Sequence, residues 1–238
     1  MAETSPTRFH WNPALQPLPV TLRGRSVTLE PLDAGRHAPA LWQAVQGHDE
    51  LWDWMGDGPY ATEEEFHHAI ALKQSAPDAV FLALIPAAAT EPTDPPPSSG
   101  QTAGYASFMR IDPPNGVVEV GNILLAPSLQ CTTAATEAMY LMASHVFDRL
   151  GYRRYEWKCN AENLPSRRAA LRLGFTFEGL FRQHMVVKGR NRDTAWFSML
   201  DREWPARKRA FEAWLAPSNF DTQGLQQKAL RHFSSISS

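Results

Sequence analysis

Residues 118–138 read VEVGNILLAPSLQCTTAATEA, and the way this stretch changes character halfway along decides the fold. The first half is apolar and ends at Ala126-Pro127, as a strand does. A short loop follows, and then small and hydroxyl residues crowd together where a helix begins. Apolar residues at Ala135, Ala138, Met139, Met142, Val146 and Phe147 keep helical spacing, which predicts a helix over 133–150 stopped by Gly151. Free backbone N–H groups at a helix start, together with the positive end of the helix dipole, form an anion site. Small side chains there let a pyrophosphate approach the backbone.

Upstream, 101–111 and 117–125 read as two strands. The Asp112-Pro113-Pro114-Asn115-Gly116 turn between them makes an antiparallel hairpin. Residues 86–100 hold five prolines in fifteen positions, a surface excursion. Before it, 79–85 is a continuous apolar run, a buried strand. Thr62 followed by Glu65 is a capping-box pattern opening a helix that runs to Gln74. Asp33 caps another over 34–45. Val20–Leu32 reads as a strand or hairpin broken at Gly24, and residues 1–19 read as an arm. Downstream come a strand over 152–159 and a helix over 165–173 ended by Gly174. A strand pair follows, 175–187 and 194–200, turning at residues 188–191. Asp201 is placed to cap a last helix reaching Leu215, and 216–238 reads as a frayed polar tail. This order means an α/β protein with a mixed sheet of about seven strands flanked by helices.

The 238 residues, 43% hydrophobic, suit one domain over 20–215. A formal net charge of −2 supplies no global field for nucleic acid or an anionic membrane. No apolar run approaches the roughly 18 residues of a membrane helix. Cys131 and Cys159 form no CxxC pair, so a soluble, cytoplasmic protein with reduced thiols is expected. His67-His68 carry no ligand spacing, because adjacent residues do not share a helix face, and no metal site is expected.

A second stretch, Asn163-Leu164-Pro165-Ser166 followed by Leu173-Gly174-Phe175, adds a polar pair at a strand exit, a brief helix and a glycine turn. Together and in this order, the two stretches resemble the GNAT superfamily of acetyl-CoA-dependent N-acetyltransferases. They are closest to its ribosomal-protein-type branch, which also holds small-molecule and drug acetylating members. That branch's coenzyme loop, Q-x-x-G-x-A-T-E-A, is matched by Gln130-Cys131-Thr132-Thr133-Ala134-Ala135-Thr136-Glu137-Ala138. The later N-x-x-S and G-F elements fall on Asn163, Ser166, Gly174 and Phe175, and the opening Leu29-Glu30-Pro31-Leu32 is also typical.

The resemblance implies a GNAT fold and acetyl-CoA as co-substrate. The backbone of Ile123, Leu124 and Leu125 would pair with the pantetheine arm. Gln130, Cys131, Thr132, Thr133, Ala134, Ala135 and Thr136 would hold the pyrophosphate. Asn163 would bond the pantetheine, and Ser166 would lie near the sulfur and protonate the leaving thiolate. Glu119 matches the branch's acidic strand residue and is the candidate base, with a backbone N–H near Ile123 or Leu124 polarising the carbonyl. Trp52, Trp54 and Tyr60, with Met55, fall in the family's acceptor wall; ordinary core packing is the competing reading. Ser166 competes as a helix N-cap. The acceptor is expected to be a small primary amine, with a protein N-terminus as the alternative, and the protein a monomer or homodimer. Thr133 stands at the family's glycine, and a β-branched residue resists positive φ. A non-catalytic acyl-CoA-binding or interaction module is therefore the other reading.

Overall fold

The computed structural model describes residues 11–87 and 101–234. In chain order the elements are β1 (Leu22–Arg23), β2 (Val27–Pro31), α1 (Ala34–Val45), α2 (Glu63–Gln74), β3 (Ala79–Pro86), β4 (Gly104–Asp112) and β5 (Val117–Leu125). They continue as α3 (Thr133–Ser144), β6 (Arg154–Asn160), α4 (Leu164–Arg172), β7 (Thr176–Val187), β8 (Arg190–Leu200), α5 (Trp204–Leu215) and α6 (Leu230–Ser234). The eight strands form one mixed α/β sheet in the order β1-β2-β3-β4-β5-β6-β8-β7. The eighth strand arises because Val20–Leu32 folds as a hairpin. All neighbours pair antiparallel except β5 and β6.

Local chemistry sets most of the ends. Asp33 caps α1 by accepting from Arg36 N, and Thr62 caps α2 by accepting from Glu65 N. The Glu65 carboxylate reaches back to Ala61 N at 2.9 Å, one residue beyond a standard capping box. Strand alternation then sorts the faces. Val120, Tyr155, Trp157 and Met199 turn toward Met139 and Ala143 of α3 and Phe211 of α5, around a small apolar hollow. Each such large side chain, removed from water, contributes about 1.5–3 kcal/mol. Residues of opposite parity on the same strands, Glu119, Glu156, Lys158 and Ser198, share the other face.

Several expectations are corrected. The helix expected over 133–150 ends as an α-helix at Ser144 and widens into a π turn, His145–Arg149. There Asp148 accepts hydrogen bonds from Ser144 Oγ, Trp204 Nε1 and Lys208 Nζ, which tie the turn to α5. Asp201 does not cap α5, which begins at Trp204 after Glu203; instead the Asp201 carbonyl accepts from Trp204 N. The tail is packed over its described part. Asn219 is 5% exposed, donates to the Trp214 and Lys228 carbonyls and accepts from Lys228 N, while Leu230 is buried. A polar residue organises this segment, so low hydropathy misread it as solvated. The described part of the arm, from Trp11 on, bonds the 113–114 turn and Leu150 through Trp11, Ala14 and Leu15. Residues 1–10, 88–100 and 235–238 lie outside the described residues, and with them most of the proline-rich excursion. No helix among the described residues is long and apolar enough to cross a membrane.

Candidate active site

β5 and β6 pair only from Val117 with Arg154 to Val120 with Trp157, and then part. The cause lies in β5. Its ladder to β4 shifts register between Gly121 and Leu124, so Asn122 and Ile123 together face Ala106. Asn122 takes φ +49, a left-handed conformation that asparagine tolerates better than most residues, and its Nδ2 donates to Ser107 Oγ at 3.0 Å. Beyond Trp157, β6 keeps β8 as its neighbour, pairing Lys158 with Trp196 and Asn160 with Thr194. The two strand edges thus open as a V around a cleft of about 250 Å³. Such parted edges leave main-chain N–H and C=O groups without strand partners.

Glu119 lines this cleft and is 3% exposed. Its Oε2 accepts from Arg110 Nη1 at 2.7 Å and from Lys158 Nζ at 2.9 Å. Lys158 also reaches Glu156 Oε2 at 2.6 Å and sits 3.7 Å from the Trp196 ring centroid. Glu156 in turn meets Arg154 Nε at 2.6 Å, and Arg154 bonds Glu178. Arg192 lines the cleft too.

Asn163 and Ser166, at the start of α4, line the same cleft. The sequence left Ser166 as a possible cap, but the cap is Asn163, whose Oδ1 accepts from Ser166 N at 3.0 Å. That frees the Ser166 hydroxyl, which accepts from Trp157 Nε1 at 3.0 Å. Burial pushes the neighbouring Cys159 thiol up, offset in part by the Ser166 hydroxyl and by Arg192 and Arg167.

The loop from Gln130 to Thr136 lies beyond the end of β5. Thr132 caps α3, accepting from Ala135 N at 3.1 Å and donating to the Leu129 carbonyl at 2.7 Å. Thr133 is the first residue of α3, so the expected conflict between threonine and positive φ does not arise there. The left-handed position is Cys131, at φ +59 and exposed. Ala134 and Ala135 are buried, Gln130 Nε2 bonds the Leu125 carbonyl, and Thr136 Oγ1 accepts from Arg172 Nη1 at 3.1 Å. Burial lowers the Arg172 pKa from its ordinary value, opposed by the Cys131 sulfur. First-turn N–H groups of α3 have no intrahelical acceptors, which makes this end, with Arg172 beside it, suited to an anion.

Of the aromatic candidates, Trp54 is 39% exposed and lines the cleft with Met55. Trp52 is buried, edge-on to Tyr60 and Phe66, and only its carbonyl reaches outward, accepting from Lys188 Nζ. Tyr60 lines an adjoining hollow and donates to Asp57, which also pairs with Lys73. The cleft therefore brings together Glu119, Ile123, Asn163, Ser166 and Trp54. Leu124 turns its side chain into the core, and the 130–136 loop lies outside the cleft lining. Sequence reading missed Arg110, Lys158, Arg172 and Arg192. The one available signal was the alternation Arg154-Glu156-Lys158 against Tyr155-Trp157-Cys159, a charged face on a strand.

The model of the Acetyltransferase (GNAT) domain matches residues 26–176. A GCN5-related N-acetyltransferase from Brucella melitensis is 49% identical, with a TM-score of 0.88 over 95% of this chain and 99% of that one. A GNAT-family protein from Chromobacterium violaceum ATCC 12472, described as a probable acetyltransferase, is 38% identical, with a TM-score of 0.75 over 87% of this chain and 98% of its own. The uncharacterized N-acetyltransferase p20 of Bacillus licheniformis is 35% identical over 104 residues, 44% of this chain and 58% of that relative, so the match spans less than two thirds of its length. With the family model matching most of the chain and a sheet that opens where β5 and β6 part, this protein belongs to the GNAT acetyltransferase family.

Proposed function

We propose that this chain transfers an acetyl group from acetyl-CoA to the primary amine of a small molecule, by direct attack and without a covalent enzyme intermediate. The observation that carries the reading is the cleft between parted strands, lined by Glu119, Asn163 and Ser166 together. The residues fit the co-substrate: the α3 N-terminus with Arg172 suits a pyrophosphate, and unpaired strand edges suit the amides of a pantetheine arm. Acetyl-CoA supplies the activated acetyl thioester. Glu119 takes the proton that the amine must lose, directly or through water. Ser166, its hydroxyl free of the capping role, stands by to donate to the departing thiolate. The backbone N–H near Ile123 polarises the carbonyl. A cleft of about 250 Å³ lies below the usual range for drug-sized ligands, which favours a small acceptor over a folded protein terminus. We place the protein in the cytoplasm, where the exposed Cys131 thiol stays reduced.

The test is acetyl-CoA binding by calorimetry, then free-thiol release against a mixed panel of amines. Binding with amine-dependent release supports the enzyme. Binding without release by any amine points to the acyl-CoA-binding module instead, and absence of binding removes both.

A further inference from the structure

Arg192 is a cation that the site's own carboxylates do not neutralise. On the charged face of the sheet, Arg110, Lys158 and Arg154 contact Glu119, Glu156 and Glu178, so three cations meet three carboxylates and that ladder balances itself. Arg192, on β8, stands in the same cleft, yet no salt bridge reaches it among the described residues. Its Nε is buried with no hydrogen-bond partner among them. Asp53 and Glu162 line the outer hollow that Arg192 also borders, but both are exposed and neither pairs with it. Withdrawing a guanidinium donor from water without a partner costs free energy that an incoming anion recovers. Burial lowers the Arg192 pKa from its ordinary value, the like charge of Arg110 acts the same way, and Cys159 and Glu119 oppose them.

An anion for Arg192 does not come from the co-substrate in the proposed pose. A pantetheine arm is neutral, and the phosphates belong at the α3 N-terminus beside Arg172. It has to come from the acceptor. A guanidinium presents a planar fork of donors that stays charged at neutral pH and matches a carboxylate in two parallel bonds. Arg192 and Glu119 line the same cleft of about 250 Å³, so a single small molecule can span both.

We propose that Arg192 selects acceptors bearing a free carboxylate, so that the substrates are small amino acids or their close relatives, their amine toward Glu119 and their carboxylate on Arg192. This rests on the acetyl-transfer reading above.

The experiment measures thiol release with the proteinogenic amino acids and their primary amides, compared at equal free-amine concentration. The wild type should show kcat/KM at least about tenfold higher for the best carboxylate than for its amide, consistent with a charge-assisted pair. In Arg192→Gln that ratio should collapse toward one, and Arg192→Lys should restore part of it. Parity of acid and amide in the wild type, or a preference that survives Arg192→Gln, overturns the proposal. If no amine releases thiol, the acetyl-transfer reading falls, and binding then judges Arg192 separately. Tryptophan fluorescence would be titrated with an N-acetylated amino acid and with its amide, in the presence of CoA. Tighter acid binding in the wild type than in Arg192→Gln supports the carboxylate site, and equal or no binding overturns it.

Discussion

Lys158 and Glu119 form an ion pair at 2.9 Å with each side chain only 4% exposed, and Lys158 has a second carboxylate, Glu156, at 2.6 Å. Removing the two partners has different consequences. Lys158→Met removes the cation shared by two buried carboxylates and leaves Glu119 with Arg110 and Glu156 with Arg154 alone, and a loss of about 3 kcal/mol is expected in chemical denaturation. Glu119→Gln keeps the shape and an oxygen for Lys158, so the fold survives, but the proposed proton acceptor is gone. Its kcat should fall by about 100-fold or more, with the KM for acetyl-CoA little changed. Turnover within a few-fold of wild type at every pH would remove Glu119 from the base's role.

The left-handed Cys131 sits directly before the cap Thr132. A non-glycine residue pays about 1–2 kcal/mol in that region, while glycine loses about 0.5–1 kcal/mol of extra chain entropy on folding. Cys131→Gly should therefore stabilise by a net of about 0.5–1 kcal/mol. Cys131→Val, β-branched, should destabilise. Thermal melts of the pair decide it, and a lower midpoint for the glycine variant would show that the loop relaxes its strain in another way.

How much of this was legible follows from the range of the interactions. The caps at Asp33 and Thr62, the hairpin of β4 and β5, and the start of α3 rest on contacts within a few residues, and the sequence displays them. The cleft was legible only through the family likeness, since the bulge at Asn122 has no periodic signature. The ladder from Arg110 to Glu178 draws on five separate strands' worth of register: Arg110 on β4, Glu119 on β5, three residues of β6, and Glu178 on β7, tied by Ser198 of β8. Alternating charge on β6 reads as a solvated face, and the fold turns that face into the cleft. Asn219 failed for the same reason, a polar residue whose partners at Trp214 and Lys228 are fixed by tertiary packing.

Glu137, inside the motif read as part of the coenzyme loop, holds the β1–β2 turn. Its carboxylate accepts from Arg25 N at 2.9 Å, from Ser26 N at 2.6 Å and from Ser26 Oγ at 2.5 Å. Glu137→Gln would aim an amide donor at these donors, costing about 1–3 kcal/mol. Gly24 is required by the same contact, because a Cβ there would stand 2.5 Å from Glu137 Cδ. Gly24→Ala should destabilise alone, yet much less in a Glu137→Ala background, where the obstacle is gone. Strictly additive losses in that double-mutant cycle would contradict the shared contact.

Glu178 sets an acid-side dependence of stability. Arg154 bonds it through two nitrogens, at 2.9 and 2.5 Å, and Ser198 Oγ donates at 2.6 Å. Together, Arg154 foremost, they hold the carboxyl at about 2 against an ordinary 4.5. A pKa lowered by folding means that the unfolded chain takes up the proton first. The stabilisation is thus complete above about 4.5 and drains away as the pH falls toward about 2. With the Glu178 side chain 39% exposed, water screens the pair, and its worth is on the order of 1 kcal/mol or less. Glu178→Gln should be less stable than wild type at pH 6 in urea titrations, and the gap should narrow steadily below pH 4.5. A gap that stays constant down to pH 3 would mean that the Glu178→Gln variant loses stability through packing and hydrogen bonding alone, with the Arg154 charge contributing nothing.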